Sequence, residues 1–313
     1  MKRKIKALLL ATVFLLETIG CSSNQKNASE VSKSESQTFD SDTEAETEAL
    51  SFDESEPTEA AYIHIEETGE TLESRINVPQ GYTRTKVKED SLAAFLRKYP
   101  MKEAGSPVLL YDGTPKAIQS DHVAVFKLPI ENYDLQQCAD SIMRVYAEYY
   151  WSTGQYDKIG FHFSGDFVAE YSKWREGYRI SINGDNCSWK KSAAYDDSYD
   201  NFVKYMKIVF SYAGTFSMEG ETRKTSLSQI KAGDVFLKGG SPGHVVMVVD
   251  VCENAEGKKA FLLAQGYMPA QEFHVLKNDL HEENPWYFEK EVKYPFHTPE
   301  YTFEEGSLKS LTY

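Results

Sequence analysis

Five consecutive apolar residues, Val245 to Val249, follow a glycine- and proline-rich stretch (239–243) and a single histidine, His244. Four of the five are β-branched, and a short apolar run bounded by turn residues predicts a buried strand. A second apolar run, Ala260 to Ala264, comes after the turn at 254–257 and predicts an antiparallel hairpin with the first. Gly233-Asp234 opens one more extended segment, Val235 to Leu237. Earlier in the chain the period changes. Leu135, Cys138, Ala139, Ile142, Val145, Tyr146 and Tyr149 recur at three and four, which predicts a helix over 134–151. Asp134 is its natural N-cap, and Gln137 completes a capping box. A second helix is predicted over 200–213, ended by Gly214 as C-cap, and a short one over 91–99, stopped by Pro100. Val108–Tyr111, Ala124–Leu128, Ile159–Phe163, Trp174–Ile182 and Phe273–Leu276 read as strands. Helices first and a run of antiparallel strands after them predict an α+β class, an antiparallel sheet with packed helices.

The start of the chain follows another pattern. Lys2, Arg3, Lys4 and Lys6 precede an apolar run, Ala7 to Leu16, too short for a membrane-spanning helix of roughly 20 residues. Gly20 directly before Cys21 resembles a bacterial lipoprotein cleavage box, in which the cysteine becomes the lipid-bearing N-terminus; Thr18 stands where Leu is usual. This reading gives a signal peptide over 1–21, lipidation at Cys21 and an extracytoplasmic protein anchored to the bacterial cell membrane. The alternative is a secreted protein whose signal is removed. Residues 22–60 hold eleven acids against two lysines, a net −9. With so little to bury, a disordered acidic Ser/Glu-rich tether is expected over 22–65 and a single α+β domain over 66–313. Residues 61–313 carry −8 of the chain's −14, without a basic patch, which argues against nucleic acid as a partner. With Cys21 acylated, Cys138, Cys187 and Cys252 remain, so one disulfide is allowed with one thiol left over. No spacing suggests a metal site, and no phosphate loop or other cofactor motif is present, so no metal and no cofactor are expected.

The candidate chemistry sits on the predicted hairpin. His244 stands at the mouth of one strand and Gln265 at the end of its neighbour, the placement that nucleophilic cysteine enzymes use for a base and the group orienting it. A half-exposed polar residue at a strand start explains His244 equally well. Cys138 falls in the first turn of a capped helix, where the dipole and free N–H groups lower a thiol pKa. Gln136 and Gln137 beside it are amides suited to an oxyanion hole. Cys138 also lies on the apolar stripe, where a buried cysteine serves as a small hydrophobe. Gln265 and Gln271 flank a turn expected on the edge where His244 lies, either as a polar pocket floor or as pins holding the loop. Cys187 and Cys252 lack such a setting, and Arg144, Arg175 and Arg179 read as surface salt-bridge formers.

LQQCAD (135–140), YAGT (212–215), GDVF (233–236), PGHV (242–245) and LAQGYMPAQ (263–271) together resemble a bacterial lipoprotein family known as domain of unknown function 4846, over residues 70–305. Membership implies a secreted or lipid-anchored protein and supplies no activity. The C-terminal half is more weakly similar to papain-like cell-wall cysteine amidases and peptidases of the CHAP type, which implies papain-like topology there, His244 as base and Gln265 as its orienting residue. In those enzymes a cysteine opens the helix preceding the histidine; this chain has Tyr199-Asp200-Asn201 there, the pattern of an inactive relative or of an unrelated protein, and Cys138 is the other candidate. Two functions follow. One is a cell-envelope cysteine amidase or peptidase acting on cell-wall peptides with Cys138, His244 and Gln265. The other is a non-catalytic envelope binding module. The expected partners are the membrane, through the lipid anchor, and peptidoglycan or an envelope protein.

Overall fold

A computed structural model of the protein describes Tyr62, residues 64–184 and residues 186–313. The expected signal segment with Cys21 and the expected tether up to residue 61 lie outside the described residues. His64 and Ile65, read as the tether's end, take part in the fold: His64 O accepts the Asn77 N–H at 2.8 Å, and Ile65 bridges Ile76.

The predicted hairpin forms the centre of the α+β fold. His244–Asn254 pairs antiparallel with Lys259–Gln265, with a bulge between Leu262 and Leu263. Seven strands of the sheet follow the order His122–Val125, His274–Leu276, Lys259–Gln265, His244–Asn254, Asp234–Lys238, Leu308–Leu311, Thr222–Lys224. Two more strands, Tyr82–Arg84 and Tyr287–Phe288, pair with the far end of the hairpin, and each pairing in this sheet is antiparallel.

Why the histidine strand reads as an unbroken apolar run follows from its two faces. Val245, Met247 and Val249 join Leu262 and Ala264 in one core, beneath the helices Cys138–Ser152 and Tyr199–Tyr212. Val246 and Val248 join Phe261 and Leu263 in a second core, closed by Phe296 and Phe303 of a hairpin over Phe296–Thr298 and Tyr301–Phe303. A strand covered on both faces has no solvent side to mark with polar residues.

Several local expectations are corrected. The cysteine helix begins at Cys138, four residues past Asp134, with Gln137 as N-cap; the Asp140 carboxylate accepts the Gln137 N–H at 3.1 Å. Asp134 is occupied elsewhere: its Oδ1 accepts Gln137 Nε2 at 3.0 Å and the Ala270 N–H at 2.7 Å. Gly214 is not a left-handed C-cap. Ala213 ends the helix, and Gly214, extended at φ 177°, precedes another one, Thr215–Gly220. Trp174 and Arg175 close a short helix, Tyr171–Arg175, and the strand begins only at Tyr178. Val108–Tyr111 contributes two isolated bridges in place of a strand. Arg144, expected at the surface, is fully buried, with Nε donating to Glu148 Oε1 at 2.7 Å and Nη2 to Tyr199 OH at 2.9 Å. The helix Tyr199–Tyr212 covers it. Cys138, Cys187 and Cys252 are all free thiols, so the disulfide the composition allowed does not form among the described residues.

Candidate active site

His244 enters its strand through a crowded turn. A Cβ on Gly243 would stand 2.4 Å from Gly240 O and 2.5 Å from Thr215 Oγ1, so only glycine fits ahead of the histidine. The His244 side chain is 2% exposed. Its Nε2 lies 2.8 Å from Oε1 of Gln265, which is fully buried. Nδ1 has no hydrogen-bond partner among the described residues. Gln265 Nε2 in turn donates to Glu300 Oε2 at 2.5 Å. The imidazole is packed by Tyr267, Tyr301 and Phe303, with ring centroids 4.7, 4.9 and 6.1 Å away. Burial lowers its pKa to about 4, against the Gln265 hydrogen bond and the Glu300 charge. The ring is therefore neutral at neutral pH.

Cys138 is the first residue of its helix, where N–H groups have no carbonyl four residues back. Those of Cys138 and Ala139, and the Val245 N–H next to His244, favour the thiolate. They lose to desolvation and to Asp140, which push the thiol up to about 11. The helix terminus thus fails to acidify the thiol as the sequence suggested, because removal from water costs the anion more than one helix turn returns. Cys138 and His244 line one cleft of about 570 Å³, with Gln137, Thr215, Tyr267 and Tyr301 among its walls. No hydrogen bond joins the Cys138 sulfur to His244 among the described residues.

Of the proposed pocket amides, Gln137 lines the cleft. Gln136 is buried off it, donating to Pro129 O at 3.1 Å, and Gln271 is buried in the bridge to Leu110. The helix Tyr199–Tyr212 reaches the cleft with Phe210 and Ser211 near its C-terminal end, while Tyr199 donates to Glu148 Oε1 at 2.6 Å near the far end of the cysteine helix. The lack of a cysteine at Tyr199 to Asn201 therefore has no bearing on this cleft. Glu300, Tyr301 and Phe303 were missed. Their only signal was a two-residue turn, Pro299-Glu300, between short aromatic runs.

Two expected results follow from this geometry. With the thiol at about 11, roughly a thousandth of it is ionised at pH 8. Iodoacetamide labelling of Cys138, read by peptide mass spectrometry, should rise about tenfold per pH unit from 7 towards 10. A plateau below pH 8 would show a thiolate already formed. The second concerns Gly266, where a Cβ would stand 2.3 Å from Ser141 Oγ and 3.1 Å from Gln137 O. Gly266→Ala should force the glutamine strand off the cysteine helix and cost about 1–3 kcal/mol in urea unfolding, with Ser141→Ala recovering part of the loss. A change under about 0.5 kcal/mol would mean that helix and strand separate freely.

No curated protein and no solved structure matches the chain. The family model described as Domain of unknown function (4846) matches residues 72–310, which include Cys138, His244, Gln265 and Glu300, and the chain belongs to that family.

Proposed function

We propose that the protein is a cysteine amidase or peptidase of the cell envelope, acting on cell-wall peptides with papain-like topology in its C-terminal half. The observation that carries this reading is the shared cleft, in which the thiol opens a helix and the imidazole is held from behind by Gln265. Cys138 Sγ attacks the amide carbonyl carbon and passes its proton to His244 Nδ1. The carbonyl oxygen, now negative, is held by free N–H groups of the first helix turn. Collapse breaks the C–N bond, and His244 returns the proton to the leaving amine. Water, deprotonated by His244, then attacks the thioester; the acid product leaves and Cys138 takes its proton back. Because no hydrogen bond joins the neutral thiol and imidazole at rest, substrate must bring the two together before proton transfer.

In this reading the signal segment and Cys21 place the enzyme outside the cytoplasm on a lipid anchor, with the tether giving it reach to peptidoglycan. The protonated thiol and buried imidazole favour a second reading, a non-catalytic envelope binding module on the same scaffold. Incubation with purified peptidoglycan fragments separates the two. New amine ends and a transient acyl adduct on the Cys138 peptide are expected of the enzyme. Binding without either product would sink it in favour of the module.

A further inference from the structure

We propose that Glu300 is a positioning residue for His244: through the Gln265 amide it fixes which ring nitrogen carries the proton. This rests on the reading of His244 as the base. Glu300 occupies the turn between Phe296–Thr298 and Tyr301–Phe303, the hairpin that also packs Tyr301 and Phe303 against the imidazole. Its Oε2 accepts from Lys116 Nζ at 2.7 Å and from Gln265 Nε2 at 2.5 Å. Lys116 is 8% exposed, which shields the ion pair from solvent. Asp121 Oδ2 lies 3.8 Å from the same ammonium. On the other side His274 Nε2 stands 3.9 Å from Glu300 Oε2, with its Nδ1 2.8 Å from Glu272 O. Burial would raise the Glu300 carboxyl, but His274 and Lys116 outweigh it and hold the group below its ordinary value.

The consequence is a matter of donors and acceptors. An ionised carboxylate only accepts, so Gln265 must turn its NH2 to Glu300 and its oxygen to His244. That oxygen also only accepts, so His244 Nε2 must carry the hydrogen. Nδ1 is left with its lone pair, the state a base requires. Without a charged partner the two ends of the amide are close to interchangeable in shape, and either tautomer can form.

Histidine ring 15N NMR at pH 7 reads this directly, with the His244 signals assigned from His244→Asn. The native protein should show a pyrrole-type Nε2 and a pyridine-type Nδ1. Glu300→Gln, whose amide offers both donor and acceptor, should give a mixture or an inversion, and should lower kcat about 10- to 100-fold with KM little changed. An unaltered tautomer in folded Glu300→Gln overturns the relay, as does an Nδ1–H tautomer in the native protein. If Glu300→Gln does not fold, the native spectrum decides alone: Nε2–H supports the relay and Nδ1–H overturns it. The spectrum needs no turnover, so the two readings fail separately. An inactive protein whose tautomer responds to Glu300 keeps the relay; an active one whose tautomer ignores Glu300 loses only the relay.

Discussion

Cys138→Ser should leave the melting temperature unchanged and lower peptide turnover by about a thousandfold or more. The stability half follows from position. Cys138 is half-buried at the first position of its helix, serine has nearly its shape, and the swap removes no packed hydrocarbon. The kinetic half follows from proton affinities. Moving a proton from a thiol at about 11 to an imidazole at about 4 is uphill by roughly 9–10 kcal/mol in the free protein. A turnover of one per second tolerates a total barrier of about 17 kcal/mol, so the thiol route fits within it. A hydroxyl holds its proton several units more tightly, and each unit costs about tenfold. Turnover of Cys138→Ser within threefold of the native rate, measured by release of new amine ends, would remove the thiol from the mechanism. His244→Gln should lose activity comparably, because groups acting as one unit fail together.

The central hairpin was legible because its signal is local: turn residues, β-branched runs and length together specify the pairing, and His244 and Gln265 fall at its open end by chain order alone. Cys138 was legible as a helix-start residue, though not its register, because Asp134 looks like a cap until its carboxylate is seen bonded to the Ala270 N–H, 136 residues away. Thiol acidity was misread for a related reason. The helix terminus is visible in sequence, whereas the burial that outweighs it is supplied by distant elements. Arg144 illustrates the same limit. Its i+4 partner Glu148 is what a surface pair looks like, and only the packing of the later helix buries it. Glu300 had no signature beyond its two-residue turn, since a carboxylate 35 residues beyond Gln265 acquires a role only when its hairpin folds back over the sheet.

Asp250 carries the second large effect: Asp250→Ala should destabilise the domain by about 3–5 kcal/mol in urea or thermal unfolding. The residue follows the apolar run of the histidine strand and is fully buried. Its Oδ2 accepts Arg84 Nε and its Oδ1 accepts Arg97 Nε, both at 2.7 Å, with the Val251 N–H also on Oδ1 at 2.8 Å. Arg84 lies on the strand Tyr82–Arg84 and Arg97 ends the helix Leu92–Arg97, so one carboxylate fastens two early elements to the central sheet. Removing it leaves two guanidinium groups facing each other without a counter-charge, and Arg97 is only 7% exposed. Most of the cost therefore comes from stranded charge rather than from lost attraction, and the two are separable. Arg84→Met alone should cost less than Asp250→Ala, because Arg84 is the more exposed partner and the Arg97 pair survives. The triple variant Asp250→Leu, Arg84→Met, Arg97→Met should recover most of the loss, since a hydrophobic replacement of a whole buried ion cluster is often neutral or better. A triple variant as unstable as Asp250→Ala would place the cost in the Arg97 hydrogen bonds to Thr85 O at 2.8 Å and Val251 O at 3.1 Å, which tie the helix to the sheet independently of charge. A loss under about 1 kcal/mol in Asp250→Ala would mean that water reaches the two guanidinium groups once the carboxylate is gone.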